Sequence, residues 1–80
     1  MSVRIVFLGP LRDLAGIAEM EAAAPLDWNA LLEAVPASVA EQIELERVNI
    51  ACAGRVLADK TSLHAQDGDE VALLPPVSGG

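Results

Sequence analysis

The 80-residue sequence predicts an α+β domain, a mixed sheet of about five strands with one main helix packed on one face. Three observations carry this. Apolar runs of strand character stand near both ends, at residues 3–8 and 70–74. Only one segment has a strong helical stripe, with Trp28, Leu31, Leu32 and Val35 at i, i+3, i+4 and i+7. Glycine, proline and aspartate punctuate the chain between these runs, so each element must be short.

Residues 3–8 form a strand that stops at Gly9-Pro10. Pro10 suits the first position of a short helix through Ala15, and Gly16 suits its C-terminal stop. Residues 17–23 alternate Ala18, Met20 and Ala22 against Glu19 and Glu21, the pattern of a half-exposed second strand. Asp27 caps the main helix, which Pro36 ends. Ser38 and Glu41 have capping-box spacing and are expected to open a shorter helical turn through Ile43. Residues 48–53 alternate as a third strand, with Val48, Ile50 and Cys52 on one face and Asn49, Ala51 and Ala53 on the other. Gly54-Arg55 reads as a hairpin turn into a short strand at Val56-Leu57, and Asp67-Gly68-Asp69 as a turn into the last strand. The order β-β-α-β-β-β describes a β-grasp arrangement. A right-handed crossover after the first hairpin then lays the last strand parallel to the first, in the middle of the sheet.

The expected organisation is one domain over residues 1–74 and a flexible tail over residues 75–80. A chain of this size buries only roughly 60–65% of its unfolded surface, which leaves no room for a deep catalytic cavity. With 12 Asp+Glu against 5 Lys+Arg, the formal net charge is −7. That argues against nucleic acid, where a basic stripe supplies most of the affinity, and favours a partner with a basic surface. Cys52 is the only cysteine, so no disulfide or zinc cluster forms within the chain, and its apolar neighbours make it a small hydrophobe rather than a nucleophile. The N-terminus lacks the shape of a signal peptide and no segment approaches membrane-spanning length. A cytoplasmic protein that does not engage membranes is expected.

The tail carries the chemistry. Pro75-Pro76 cannot continue a sheet ladder and stiffens the chain, which lowers the entropy lost when a tail enters a channel. Gly79-Gly80 is the thinnest end a chain can present, and its carboxylate accepts a nucleophile once converted to an acyl-adenylate. If Val3, Ile5 and Phe7 face the helix, then Val6 and Leu8 share the outer face with Arg4. By the same alternation, Val71 and Leu73 pack inward and leave Ala72 and Leu74 outside. Val6, Leu8, Ala72 and Leu74 are therefore expected to form an apolar docking patch at the root of the tail.

The segment from Asp67-Gly68-Asp69-Glu70-Val71 through Leu73-Leu74-Pro75-Pro76-Val77-Ser78-Gly79-Gly80 resembles the C-terminus of the molybdopterin synthase small subunit, the MoaD family. The segment Phe7-Leu8-Gly9-Pro10-Leu11-Arg12-Asp13-Leu14-Ala15-Gly16 resembles the N-terminal strand and first helix of that family, and the likeness spans essentially the whole chain. One stretch departs: Cys52-Ala53-Gly54 has Ala53 where that family has Asn, which puts the local turn type in question.

The resemblance implies a ubiquitin-like sulfur carrier in molybdenum cofactor synthesis. An activating enzyme, using its own ATP and Mg²⁺, adenylates the Gly80 carboxylate, and sulfur replaces AMP to give a thiocarboxylate. The tail, Pro75, Pro76, Val77, Ser78 and Gly79, then enters the large synthase subunit, where sulfur passes to cyclic pyranopterin monophosphate. The same resemblance implies a heterotetramer with the large subunit, no cofactor or metal bound by this chain, and no catalytic residue of its own.

The other reactive side chains agree. His64, the only histidine, reads as a surface or loop-packing residue in a loop, Lys60 as a solvated loop lysine, and Asp67, Asp69 and Glu70 as turn formers rather than cation ligands. Three alternatives stay open: a sulfur carrier for thiamin-type thiazole synthesis, a protein modifier that forms isopeptide bonds as ubiquitin does, and a plain β-grasp interaction module with no tail chemistry.

Overall fold

In the computed structural model, β1 (Ser2–Phe7) and β7 (Glu70–Leu74), the first and last strands, lie side by side and parallel, with Ile5 opposite Val71 and Phe7 opposite Leu73. The structure describes residues 1–45 and 47–76. Strand β2 (Glu19–Ala23) pairs antiparallel with β1. On the other side β4 (Asn49–Cys52) pairs antiparallel with β7, and β5 (Arg55–Val56) with β4. The sheet order is β2-β1-β7-β4-β5, the mixed five-stranded β-grasp sheet with the expected parallel central pair.

Alternation along the central strands sets the two faces. Val3, Ile5 and Phe7 on β1, Val71 and Leu73 on β7, and Ile50 on β4 are buried. They form one cluster with Leu11 of α1 (Pro10–Ala15), Leu31 of α2 (Trp28–Ala34), and Val39 and Ile43 of α3 (Ala37–Ile43). No polar or charged side chain is buried among the described residues, so the core needs no internal hydrogen-bond partners.

The local signals for α1 and α2 operate as read. Gly16 takes the left-handed conformation that ends α1, and its N–H donates to the Arg12 carbonyl at 2.9 Å. Asp27 caps α2 by accepting the Ala30 N–H at 2.8 Å.

Three local expectations are corrected. Helix α3 is as long as α2, seven residues each, and Ser38 does not cap it. Pro36 is the cap residue, and its carbonyl accepts the N–H groups of Val39 and Ala40, both at 2.9 Å. The chain around His64 is no loop. His64 and Ala65 form β6, which pairs with β3 (Leu26–Asp27) in a separate two-stranded ribbon. Two-residue strands carry no readable alternation, so only the pairing of Leu26 with Ala65, both buried, reveals them. Finally, the hairpin between β4 and β5 turns on Ala53 and Gly54, at φ 52° and 82°, and the second strand starts one residue early, at Arg55.

Strand β7 ends at Leu74. Of the six tail residues, only Pro75 and Pro76 fall within the described part of the chain.

Candidate functional site

Register across the sheet assembles the outer face row by row. Val6 lies opposite Ala72, Ala72 opposite Ala51, and Ala51 opposite Val56. Facing residues on paired strands project to the same side, so these four make one apolar row across β1, β7, β4 and β5. At about 4.8 Å per strand the row spans roughly 14 Å. Val6, Ala72 and Ala51 are half-buried, whereas Val56 at the edge is 57% exposed.

The rows on either side differ in character. Toward the tail, Leu74 is half-buried opposite Asn49, and Leu8, just past β1, is 39% exposed. Away from the tail, Glu21, Arg4 and Glu70 form a charged row in register, with Arg4 and Glu70 bridged at 3.7 Å. Glu19 faces Val6 from β2 and ends the apolar row. The outer face is thus apolar toward the tail root and ionic away from it. Both bridged side chains are well exposed, so this ion pair contributes about 0–1 kcal/mol and serves to bound the apolar area more than to hold the sheet.

All four expected patch residues, Val6, Leu8, Ala72 and Leu74, lie on or beside this face. Ala51 and Val56 extend it and were not singled out from the sequence. The alternation of residues 48–53 already placed Ala51 opposite the core-facing set, but which strand it adjoins is decided by pairing.

The tail root is built by the ends of the two central strands. Gly9 adopts φ 53° and ψ −133°, a conformation essentially closed to residues with a side chain. A Cβ there would lie 3.3 Å from Cγ of Pro75. The first turn of α1 holds this backbone: Leu11 N–H donates to the Leu8 carbonyl at 3.1 Å, and Arg12 N–H to the Gly9 carbonyl at 3.0 Å. Here β1 turns away into α1 and β7 gives way to Pro75, which lacks the N–H to continue the ladder. Val77, Ser78, Gly79 and Gly80 lie outside the described residues.

The remaining reactive side chains serve structure. The Asp67 carboxylate accepts the Ser2 N–H and that of Asp69 accepts the Gln66 N–H, each at 2.8 Å, closing the turn before β7. Cys52 is half-buried; burial, then the nearby Asp69 charge, pushes its thiol pKa above the ordinary value, opposite to what a nucleophilic cysteine needs. Lys60 is not a solvated loop lysine. It is half-buried and its Nζ donates to the carbonyls of Leu45 and Val48.

The ThiS family model matches residues 5–80. The chain belongs to the ThiS family. Members of the family are ubiquitin-like β-grasp proteins that work as sulfur carriers or modifiers and are not themselves catalysts.

Among solved structures, the ThiS-family chain is similar to a Pyrococcus furiosus protein assigned as subunit 1 of molybdopterin converting factor. Identity is 28%, TM-score 0.70, with 96% of this chain and 99% of that one covered. It is similar to a chain of the Helicobacter pylori complex of subunits 1 and 2 of molybdopterin-converting factor, at 26% identity and TM-score 0.67, with 100% of both chains covered. The fold is also that of the small archaeal modifier protein SAMP1 from Methanosarcina acetivorans, with 22% identity, TM-score 0.72 and coverage of 99% and 96%. No curated protein matches the chain. Among the described residues, no helix is long and apolar enough to cross a membrane.

Proposed function

We propose that this ThiS-family protein is the sulfur-carrying small subunit of a molybdopterin synthase, with Gly80 as the group that is modified. The observation that carries the reading is the apolar row Val6, Ala72, Ala51 and Val56, joined through Leu74 and Leu8 to the root of the tail. A partner seated on that face receives the tail from a defined point. Full-length similarity at 26–28% identity to two chains named as molybdopterin converting factor subunit 1, one solved with subunit 2, supports this partner over a thiazole synthase.

In this reading an adenylating enzyme, with its own ATP and Mg²⁺, activates the Gly80 carboxylate. A carboxylate oxygen bonds to the α-phosphorus, pyrophosphate leaves, and a sulfur nucleophile then displaces AMP to give the thiocarboxylate. Val6, Leu8, Ala72 and Leu74 dock the large subunit. Pro75, Pro76, Val77, Ser78 and Gly79 carry the terminus to the pterin, and two copies of each subunit form a heterotetramer. The stalk prolines limit the backbone freedom lost on insertion, which costs about 1–2 kcal/mol for each flexible residue.

Intact-mass spectrometry after incubation with the activating enzyme, ATP and a sulfur donor tests the first step. The expected result is an oxygen-for-sulfur mass gain confined to the C-terminal peptide. Offering the product separately to a molybdopterin synthase large subunit and to a thiazole synthase tests the second, and only the former is expected to take the sulfur. Continued cofactor synthesis by a chain lacking Gly80 overturns the proposal.

A further inference from the structure

The sequence contains one lysine, Lys60, and among the described residues two carbonyls and a ring engage its amine. Nζ donates to the Val48 carbonyl at 2.8 Å and to the Leu45 carbonyl, and it sits 5.9 Å from the centroid of the Trp28 ring. The two carbonyls belong to the segment between α3 and β4, and the ring belongs to the first residue of α2. The backbone at Lys60 is held as well. It lies in a 3-10 turn (Lys60–Ser62) capped by Asp59, whose carboxylate accepts the N–H of Thr61 at 3.0 Å. The side chain therefore ties three segments together from a fixed base.

We infer that Lys60 is withheld as an acyl acceptor, so that this chain can hand on its activated C-terminus but does not take a second copy of itself onto its lysine. The consequence for self-conjugation rests on the proposed activation at Gly80. The chemistry sets the requirement. For an amine to take the acyl group of an adenylate, its nitrogen lone pair must bond to the acyl carbon. The carbon–oxygen bond to phosphate then breaks, AMP leaves, and the nitrogen sheds a proton. An ammonium donating to two carbonyls has no lone pair to offer. To react, it must lose a proton, which weakens its hydrogen bonds to both carbonyls and gives up the charge favoured at the face of Trp28. A protein whose terminus passes through an acyl-adenylate is exposed to amide formation with its own copies. Confining its single lysine removes the side-chain route.

Acetylation with N-hydroxysuccinimidyl acetate, followed by peptide mass spectrometry, tests the inference on the full chain. The variant Arg12→Lys supplies an internal reference, because position 12 is an exposed site on α1. Lys60 is expected to react roughly tenfold more slowly than the lysine introduced there, the effect of holding an amine by hydrogen bonds to two acceptors. In urea the two lysines are expected to react alike. Equal rates in the folded protein overturn the inference. Failure of Gly80 to be activated removes the sulfur-carrier reading instead and leaves this ratio unchanged.

Discussion

Gly9 and Pro75 meet where the two central strands part, with Cγ of Pro75 only 3.3 Å from where a Cβ on Gly9 would stand. Gly9 lets β1 turn sharply into α1, and the space its missing side chain leaves lets Pro75 pass close by. The direction in which the chain leaves the domain is thus a property of both residues.

Gly9→Ala is accordingly expected to destabilise the fold by about 1–3 kcal/mol, the usual cost of holding an ordinary residue in a sparsely populated conformation. Urea denaturation measures this. The Cβ also has to displace the Pro75 ring, so the amide signals of residues near position 75 are expected to shift more than those of β5.

The β4–β5 hairpin places Ala53 at φ 52°, where an L-residue other than Gly, Asn or Asp is disfavoured by roughly 1–2 kcal/mol. With Gly54 also at positive φ, the turn has the backbone for which Asn-Gly is preferred. Ala53→Asn is expected to raise stability by about 1 kcal/mol, read as a higher denaturation midpoint. No change in the C-terminal chemistry should accompany it.

Leu74 and Leu73 are neighbours on opposite faces, and substitution separates docking from folding. Leu73 is fully buried, so Leu73→Ala is expected to cost about 2–5 kcal/mol of stability. Leu8→Asp and Leu74→Asp, on the outer side, are expected to weaken association with the proposed partner, a molybdopterin synthase large subunit, far more than they lower the melting temperature. Titration calorimetry and thermal denaturation on the same samples check this, and equal losses in both would place these side chains in the core.

Asp59 supplies a pH test. The hydroxyl of Thr61, then its backbone N–H, holds the Asp59 carboxyl below the ordinary aspartate value. A lowered native pKa means that the unfolded chain takes up the proton first. The associated stability is present above the unfolded pKa and disappears as pH falls through the native one. Carboxyl carbon shifts followed by NMR should show Asp59 titrating below free aspartate, and Thr61→Val should move its midpoint up. The residue is fully exposed, so the effect on folding is small and the shift itself is the measurement.

Much of this architecture was legible because the signals are local. The α2 stripe, the Asp27 cap, the Gly16 stop and the Asp67-Gly68-Asp69 turn each act within a few residues, and each appears where the sequence places it. The Ser38 cap failed for an equally local reason: the helix already starts at Ala37, after Pro36, so Ser38 lies inside its first turn. Lys60 was misread because its partners at Leu45 and Val48 are backbone carbonyls, which no sequence pattern marks.

By itself the sequence determined which residues of each central strand face the core, and that Pro75-Pro76 closes the last strand. Periodicity and proline chemistry are properties of short stretches and need no partner to be read. Only the tertiary structure decided that Val6, Ala72, Ala51 and Val56 form one row, that Gly9 stands against Pro75, and that Lys60 is held under Trp28. A strand alternates in the same way whichever neighbour it pairs with. Contacts between residues tens of positions apart are therefore set by pairing and packing, beyond the reach of any local pattern.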